Sequence, residues 1–259
     1  MAGNRHTGLV LQERDRHLLS ELGVMRIIDR ETAKLVAGFH STRRANARLL
    51  ELTRAGLLRR FFVGSIAHGR KSVYTLSSKG AEVVAAKFDG INRPAGRLVV
   101  GDRFVGHQTG INDIYIALRY PLVLNPAVRL LRWHTFRQSI SEAITLTPDG
   151  YFELASEGAI RGMFLEVDCG TEALSVWQQK AALYLQLAVS GEFQSRFRQP
   201  QFRVLVVTGS ERRLSNIRSV VAKSTDKVFW FTTLDNIHRE GLWSPIWLRP
   251  TGDQRLPLL

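Results

Sequence analysis

Two neighbouring stretches, Thr145-Leu-Thr-Pro-Asp-Gly-Tyr-Phe-Glu-Leu154 and Arg161-Gly-Met-Phe-Leu-Glu-Val-Asp168, decide the reading of this chain. Pro148-Asp149-Gly150 is turn-forming and feeds an apolar, aromatic run, so the first stretch predicts a turn entering a strand. Gly158 breaks the run, and the second stretch predicts the antiparallel partner. That pairing puts Asp149 at the start of one strand and Glu166 and Asp168 at the end of the other, so three carboxylates converge at one end of the sheet. Side chains alternate along a strand, which places Glu166 and Asp168 on one face. An oxygen-only cluster of this kind suits a hard cation, Mg²⁺ or Mn²⁺, able to hold a phosphodiester and acidify a water for in-line attack.

Working outward, Gly170-Thr171 predicts a turn into a helix over 172–189, on which Trp177, Lys180 and Tyr184 share a face at spacings of three and four. A strand over 202–208, a helix over 211–222 and a final strand over 228–232 follow. Upstream, Ile111, Ile114, Tyr115 and Leu118 recur at helical spacing within 107–119. This order, with acidic residues at the hairpin ends, resembles the PD-(D/E)xK nuclease fold, which implies a mixed sheet.

Composition divides the chain. Of 259 residues, 36 are Lys or Arg and 23 Asp or Glu, a formal charge of +13, while 44% are apolar. The stretch up to Arg97 holds 18 Lys and Arg against 8 Asp and Glu, a balance of +10, leaving +3 for the rest. Asp89-Gly-Ile-Asn-Arg-Pro-Ala-Gly96 punctuates the two parts. We therefore expect a domain over 1–88, a linker over 89–100 and a second domain over 101–259. Such a basic balance points to a polyanionic partner. The single cysteine, Cys169, excludes a disulfide framework and suits a reducing, cytoplasmic setting. No apolar run approaches a membrane span, and no phosphate-binding GxxxxGK[ST] loop is present, so neither a membrane nor a nucleotide cofactor is expected.

In the basic part, Leu11, Leu18, Leu19 and Leu22 lie on one helical face, with the charged Glu13 to Arg16 mostly elsewhere and Gly23 ending the helix. Asp29 caps a second helix that Gly38 stops, and Ser41 caps a third, TRRANARLLELTRAG, whose Ala45, Leu49 and Leu52 face inward. Its N-terminal half then exposes Arg43, Arg44, Asn46 and Arg48. Two β-rich runs, 57–63 and 71–76, predict a hairpin with Arg70 and Lys71 near its tip, and a further helix starts at Ser78. This order, with LTRAGLLRR...YTLSSKGAEVV, resembles the winged helix-turn-helix family over roughly residues 10 to 88. The resemblance implies binding of double-stranded DNA. Arginine can grip guanine and asparagine adenine in the major groove, while the hairpin tip meets phosphate.

The second part resembles the PD-(D/E)xK nuclease fold, so the expected class is α+β, a winged helix-turn-helix followed by an α/β nuclease-like domain. More narrowly, HQTGINDIYIAL, TPDG, FLEVDCGTE...K...Y and a late VLVVT strand resemble the replication-relaxation family of bacterial mobile elements. That likeness spans nearly the whole chain. It implies a plasmid replication or mobilisation protein, some relatives being relaxases that nick DNA. By position, Asp149 matches the PD aspartate, Glu166 the acid of the (D/E)xK element, and Lys180 a lysine moved onto the following helix. Asp168 stands where the lysine is usual, and Cys169 where EVDRGT-like relatives carry arginine.

Two readings follow. In the first, Asp149, Glu166 and Asp168 hold Mg²⁺ or Mn²⁺ and Lys180 stabilises charge on the phosphate. In the second, the protein is a non-catalytic winged-helix regulator of transcription or replication whose nuclease-like domain serves homodimerisation or partner docking. An RNA partner is less favoured, because no aromatic stacking motif supports it.

Overall fold

The computed structural model describes residues 9–64, 70–86, 102–121, 127–170 and 172–259. The expected linker and the residues of the hairpin tip before Arg70 lie outside them. The chain forms two compact units, Met1–Thr109 and Gly110–Leu259.

In the first unit, α1 (Glu13–Met25), α2 (Arg30–Val36) and α3 (Thr42–Arg54) precede the antiparallel strands β2 (Leu58–Val63) and β3 (Lys71–Leu76), with α4 (Ser78–Val83) after them. A two-residue β1 (Ile28–Asp29) joins the other edge of β3. The caps follow the sequence: the Asp29 carboxylate accepts from Thr32 N, and the Ser41 hydroxyl from Arg44 N. These satisfy amide groups that a helix start leaves without intrahelical partners.

Gly23 does not end α1, which continues to Met25 before Arg26 takes a positive φ. A Cβ at Gly23 would lie 3.1 Å from the Ala86 Cβ, so this glycine answers to close packing rather than to helix termination. Asp15, expected on the polar side of α1, is fully buried.

Helix α5 (Asp102–Arg119) runs across the division between the units. Val105 belongs to the first unit's cluster with Ile27, Phe61, Val63 and Val73. Ile111, Ile114 and Leu118 belong to a cluster of the second.

The second unit is built on a five-stranded mixed sheet in the order β4 (Val128–His134), β5 (Gly150–Ser156), β6 (Ala159–Asp168), β7 (Phe202–Thr208), β8 (Phe229–Thr233). β4, β5 and β6 pair antiparallel, whereas β6, β7 and β8 pair parallel. Glu157 and Gly158 both take positive φ between β5 and β6, as a two-residue hairpin turn needs. Strand β4 was not signalled by sequence: it lies at the edge, and a register shift between Leu130 and Arg132 spoils its alternation. Helices α6 (Leu174–Val189), α7 (Glu192–Phe197) and α8 (Glu211–Val221) follow, and α9 (Leu234–Glu240) comes after β8.

The sheet buries both faces. Phe164, Val204, Val206 and Phe231 pack with Trp177, Ala181 and Tyr184 of α6 and Leu214 and Ile217 of α8. The opposite parity, Met163, Leu165, Val167, Leu205 and Val207, packs with Ile111, Ile114 and Leu118 of α5 and Ile237 of α9. Gly110 lets α5 lie close against the sheet, since a Cβ there would lie 2.9 Å from Val167 Cγ1.

Candidate functional site

The C-terminal end of β6 and the helix face opposite it bring most of the predicted residues together. Gly150 pairs with Leu165, which sets Asp149 across from Glu166. Asp149 Oδ2 accepts the Val167 amide at 2.8 Å, so this carboxylate also clips the turn onto the neighbouring strand.

Glu166 is 1% exposed. Its Oε1 accepts from the Tyr184 hydroxyl at 2.6 Å and its Oε2 from Lys180 Nζ at 2.9 Å. Burial is the main cause that pushes the Glu166 carboxyl up to about 7; Lys180 opposes the rise and the nearby Asp149 charge adds to it. Burial alone would lower the Lys180 ammonium, but Glu166 and Glu172 raise it overall, and Nζ reaches Glu172 at 2.9 Å and 3.0 Å. The same Nζ lies 4.9 Å from the centre of the Trp177 ring. One turn of α6 therefore separates the two groups that hold Glu166, which is the face predicted from their spacing.

Asp168 shares that strand face but has a different task. The Arg213 guanidinium binds it in a fork, Nε to Oδ1 at 2.9 Å and Nη2 to Oδ2 at 2.7 Å. The Trp177 indole donates to Oδ2 at 2.8 Å and the Gly170 amide to Oδ1 at 2.5 Å. Burial opposes ionisation, yet Arg213, Trp177 and Gly170 together hold the Asp168 carboxyl below its ordinary value. Among the described residues no group of three His, Cys, Asp or Glu is placed to hold a metal ion. Each oxygen of Asp168, the third carboxylate of the expected trio, thus accepts two hydrogen bonds from its own chain. Arg213, on α8, was not picked out from sequence: it lies 45 residues from Asp168 and no local pattern links them.

In the first unit the basic candidates also separate. Arg43, Arg44 and Asn46 are exposed on α3 and their side chains make no hydrogen bond or ion pair among the described residues. Arg48 is turned inward: its Nη2 and Nε bind the buried Asp15 at 2.5 Å and 2.9 Å, and further bonds reach Glu51 and the Val10 carbonyl. The guanidinium of Arg48, expected at the DNA surface, is thus engaged by acceptors of its own fold. Lys71 is exposed and paired with Asp29; Arg70 is exposed. A cleft of about 660 Å³ is lined by Asn46, Arg30, Arg60, Arg70 and Lys71 among others, with Glu31 the one acidic wall residue among the described residues.

Comparison adds one firm point. No curated protein and no solved structure is found to match the chain. The sequence model for replication-relaxation matches residues 22–198, which is more than half of the chain and takes in α3, the hairpin, Asp149, Glu166 and Lys180. The chain accordingly belongs to the replication-relaxation family.

Proposed function

We propose that the protein acts in the replication or mobilisation of a plasmid or other mobile element by binding double-stranded DNA through its first unit and nicking it with a divalent cation at Asp149 and Glu166. The observation that carries this reading is the reach of Lys180 Nζ to Glu166 at 2.9 Å, beside Asp149 on the adjoining strand. Two carboxylates and a lysine in one place match the acid, acid, lysine set of the PD-(D/E)xK fold, with the lysine supplied from α6.

The donor set suits Mg²⁺ or Mn²⁺. Mg²⁺ commonly takes one or two carboxylates and completes its shell with water and substrate phosphate. Burial is the main cause of the raised Glu166 carboxyl and repulsion from Asp149 adds to it, a repulsion that a cation held by both carboxylates would relieve. When bound, the cation would supply a polarised phosphate and an acidified water. Lys180 offers positive charge to the non-bridging oxygens, Glu172 and Trp177 hold its position, and Tyr184 fixes the Glu166 carboxylate.

The test is incubation of supercoiled plasmid with Mg²⁺ or Mn²⁺. Wild type should give nicked circle, and Asp149→Ala and Glu166→Gln should each lower the rate by about 100-fold or more. Absence of nicked circle with wild type, or equal nicking by the variants, rejects cleavage.

For the first unit the proposal is a winged helix whose α3 enters the major groove. Arg43, Arg44 and Asn46 supply contacts from the helix, and Arg70 and Lys71 meet phosphate from the hairpin. The double substitution Arg43→Ala/Arg44→Ala should weaken duplex binding with little change in stability. Each lost phosphate contact flattens the dependence of log K on log salt by about 0.9. A fluorescence-anisotropy titration at several salt concentrations reads this, and an unchanged affinity and slope would remove α3 from the interface.

The closed Asp168–Arg213 fork favours a second reading, in which the unit is a non-catalytic scaffold of a replication regulator and homodimerises or docks a partner. On that reading duplex binding survives Asp149→Ala and Glu166→Gln while no preparation nicks.

A further inference from the structure

At the end of the sheet where β7 and β8 begin, the second unit gathers positive charge, against which the Asp226 charge acts on Arg249. Arg161 of β6 and Arg203 of β7 lie on the same sheet face, diagonally related because Met163 pairs with Arg203. Trp230 of β8 continues the row, and the guanidinium carbons of Arg203 and Arg249 lie 4.6 Å and 4.9 Å from its ring centre. Arg161, Arg203 and Arg249 are half-buried and Lys227 is exposed. None of the four makes an ion pair among the described residues. Arg203 donates to the Leu258 carbonyl and Arg249 to the Asp226 carbonyl, both neutral acceptors. The Trp230 indole Nε1 and Arg161 Nε are buried without a hydrogen-bond partner.

Burial and the neighbouring Arg161 and Arg249 charges lower the affinity of Arg203 for its proton. Crowding like charges in a partly desolvated place costs stability unless an anion joins them. A cleft is available for one. It measures about 370 Å³ and is walled by Arg203, Lys227, Arg249, Gln194, Gln201 and Phe193 among others, with no Asp or Glu among the described residues of its lining. That volume falls within the range of small-ligand sites. Guanidinium forks and a lysine ammonium complement the oxygens of a phosphate group.

We propose that Arg203, Lys227 and Arg249 form a phosphate-binding site, taking either a free phosphorylated small molecule or the backbone phosphates of a nucleic acid. It is distinct from the carboxylate site: Arg203 pairs with Met163, three residues before Glu166, about 10 Å along the strand at 3.3 Å per residue. The inference stands whether or not the protein nicks DNA, because its readout is binding in the second unit alone.

All five tryptophans, Trp133, Trp177, Trp230, Trp243 and Trp247, belong to that unit, so thermal unfolding followed by tryptophan emission reports on it specifically. The probes are inorganic pyrophosphate and a short single-stranded oligonucleotide, each against sodium chloride of matched ionic strength. At a concentration about a hundredfold above Kd, an effective probe should raise Tm by about 5–10 °C in the full-length protein. Arg203→Gln/Arg249→Gln should abolish the rise. Lys227→Gln, at an exposed position, should reduce it and keeps the test valid if the double variant folds poorly. A rise with pyrophosphate alone assigns a free phosphorylated ligand, and a rise with the oligonucleotide, lost in the variants, assigns backbone phosphates. No rise with either probe, or an equal rise in wild type and Lys227→Gln, overturns the proposal.

Discussion

Arg213→Ala is expected to destabilise the second unit by about 3–5 kcal/mol, the usual cost of removing one partner from a buried ion pair. The Asp168 side chain is fully buried and Arg213 is 15% exposed. Without the fork, Asp168 would keep the Trp177 indole and the Gly170 amide, but its own buried charge would be uncompensated. Arg213→Lys should recover only part of the loss, since an ammonium cannot match the two-point geometry. Denaturation followed by tryptophan emission measures the effect, and a midpoint equal to wild type at neutral pH would refute it.

The pH dependence has a definite sign. The folded Asp168 carboxyl lies below its ordinary value of 3.8, so its contribution is fully present above that pH and is lost as pH falls through the lower folded value. In Arg213→Ala the sign reverses. Burial then raises the carboxyl, and the variant should approach wild type on acidification as Asp168 takes up a proton. A constant gap between wild type and variant down to pH 3 would contradict this account.

Arg48→Ala should have an effect of similar size in the first unit, about 3–5 kcal/mol. Asp15 is fully buried and the Arg48 side chain is 13% exposed, so truncation strands a carboxylate between α1 and α3. Burial opposes ionisation of Asp15, and Arg48, the Gln12 amide and Arg14 hold its carboxyl down in spite of it. The first unit contains no tryptophan, so tryptophan emission should scarcely register this change. Hydrogen exchange across Glu13–Met25 and Thr42–Arg54 should show it directly. The contrast with Arg43→Ala/Arg44→Ala is diagnostic: the exposed pair should alter DNA affinity at constant protection, whereas Arg48→Ala should alter protection first. Unchanged exchange in Arg48→Ala would return that arginine to the exposed surface.

The parts of this protein that were legible in sequence are those written in local grammar. Ser41 and Asp29 announce helix starts through groups within three residues of themselves. Asp149, Glu166 and Lys180 were legible because a turn, a strand and a helix follow one another closely, so alternation and helical spacing suffice to bring them together. The rest depends on contacts between distant stretches. Asp15 reads as one more charge in Glu13-Arg-Asp-Arg16, and only Arg48, 33 residues later, makes its burial tolerable. Asp168 reads as a third metal ligand, and no local pattern announces its fork with Arg213 of α8. Strand β4 escaped for another reason. Exposed at the edge and shifted in register, it lacks the alternation by which a half-buried strand declares itself.

The packing of Gly110 against Val167 gives the family likeness a mechanical side. HQTGIND and FLEVD are read as separate signatures, yet in the fold they are mould and cast. A methyl at 110 would press on Val167, whose amide Asp149 grips and whose neighbours are Glu166 and Asp168. Nothing at position 110 has to touch a ligand for it to matter. Its missing side chain sets how far the strand can settle backward, and so where the two carboxylates stand.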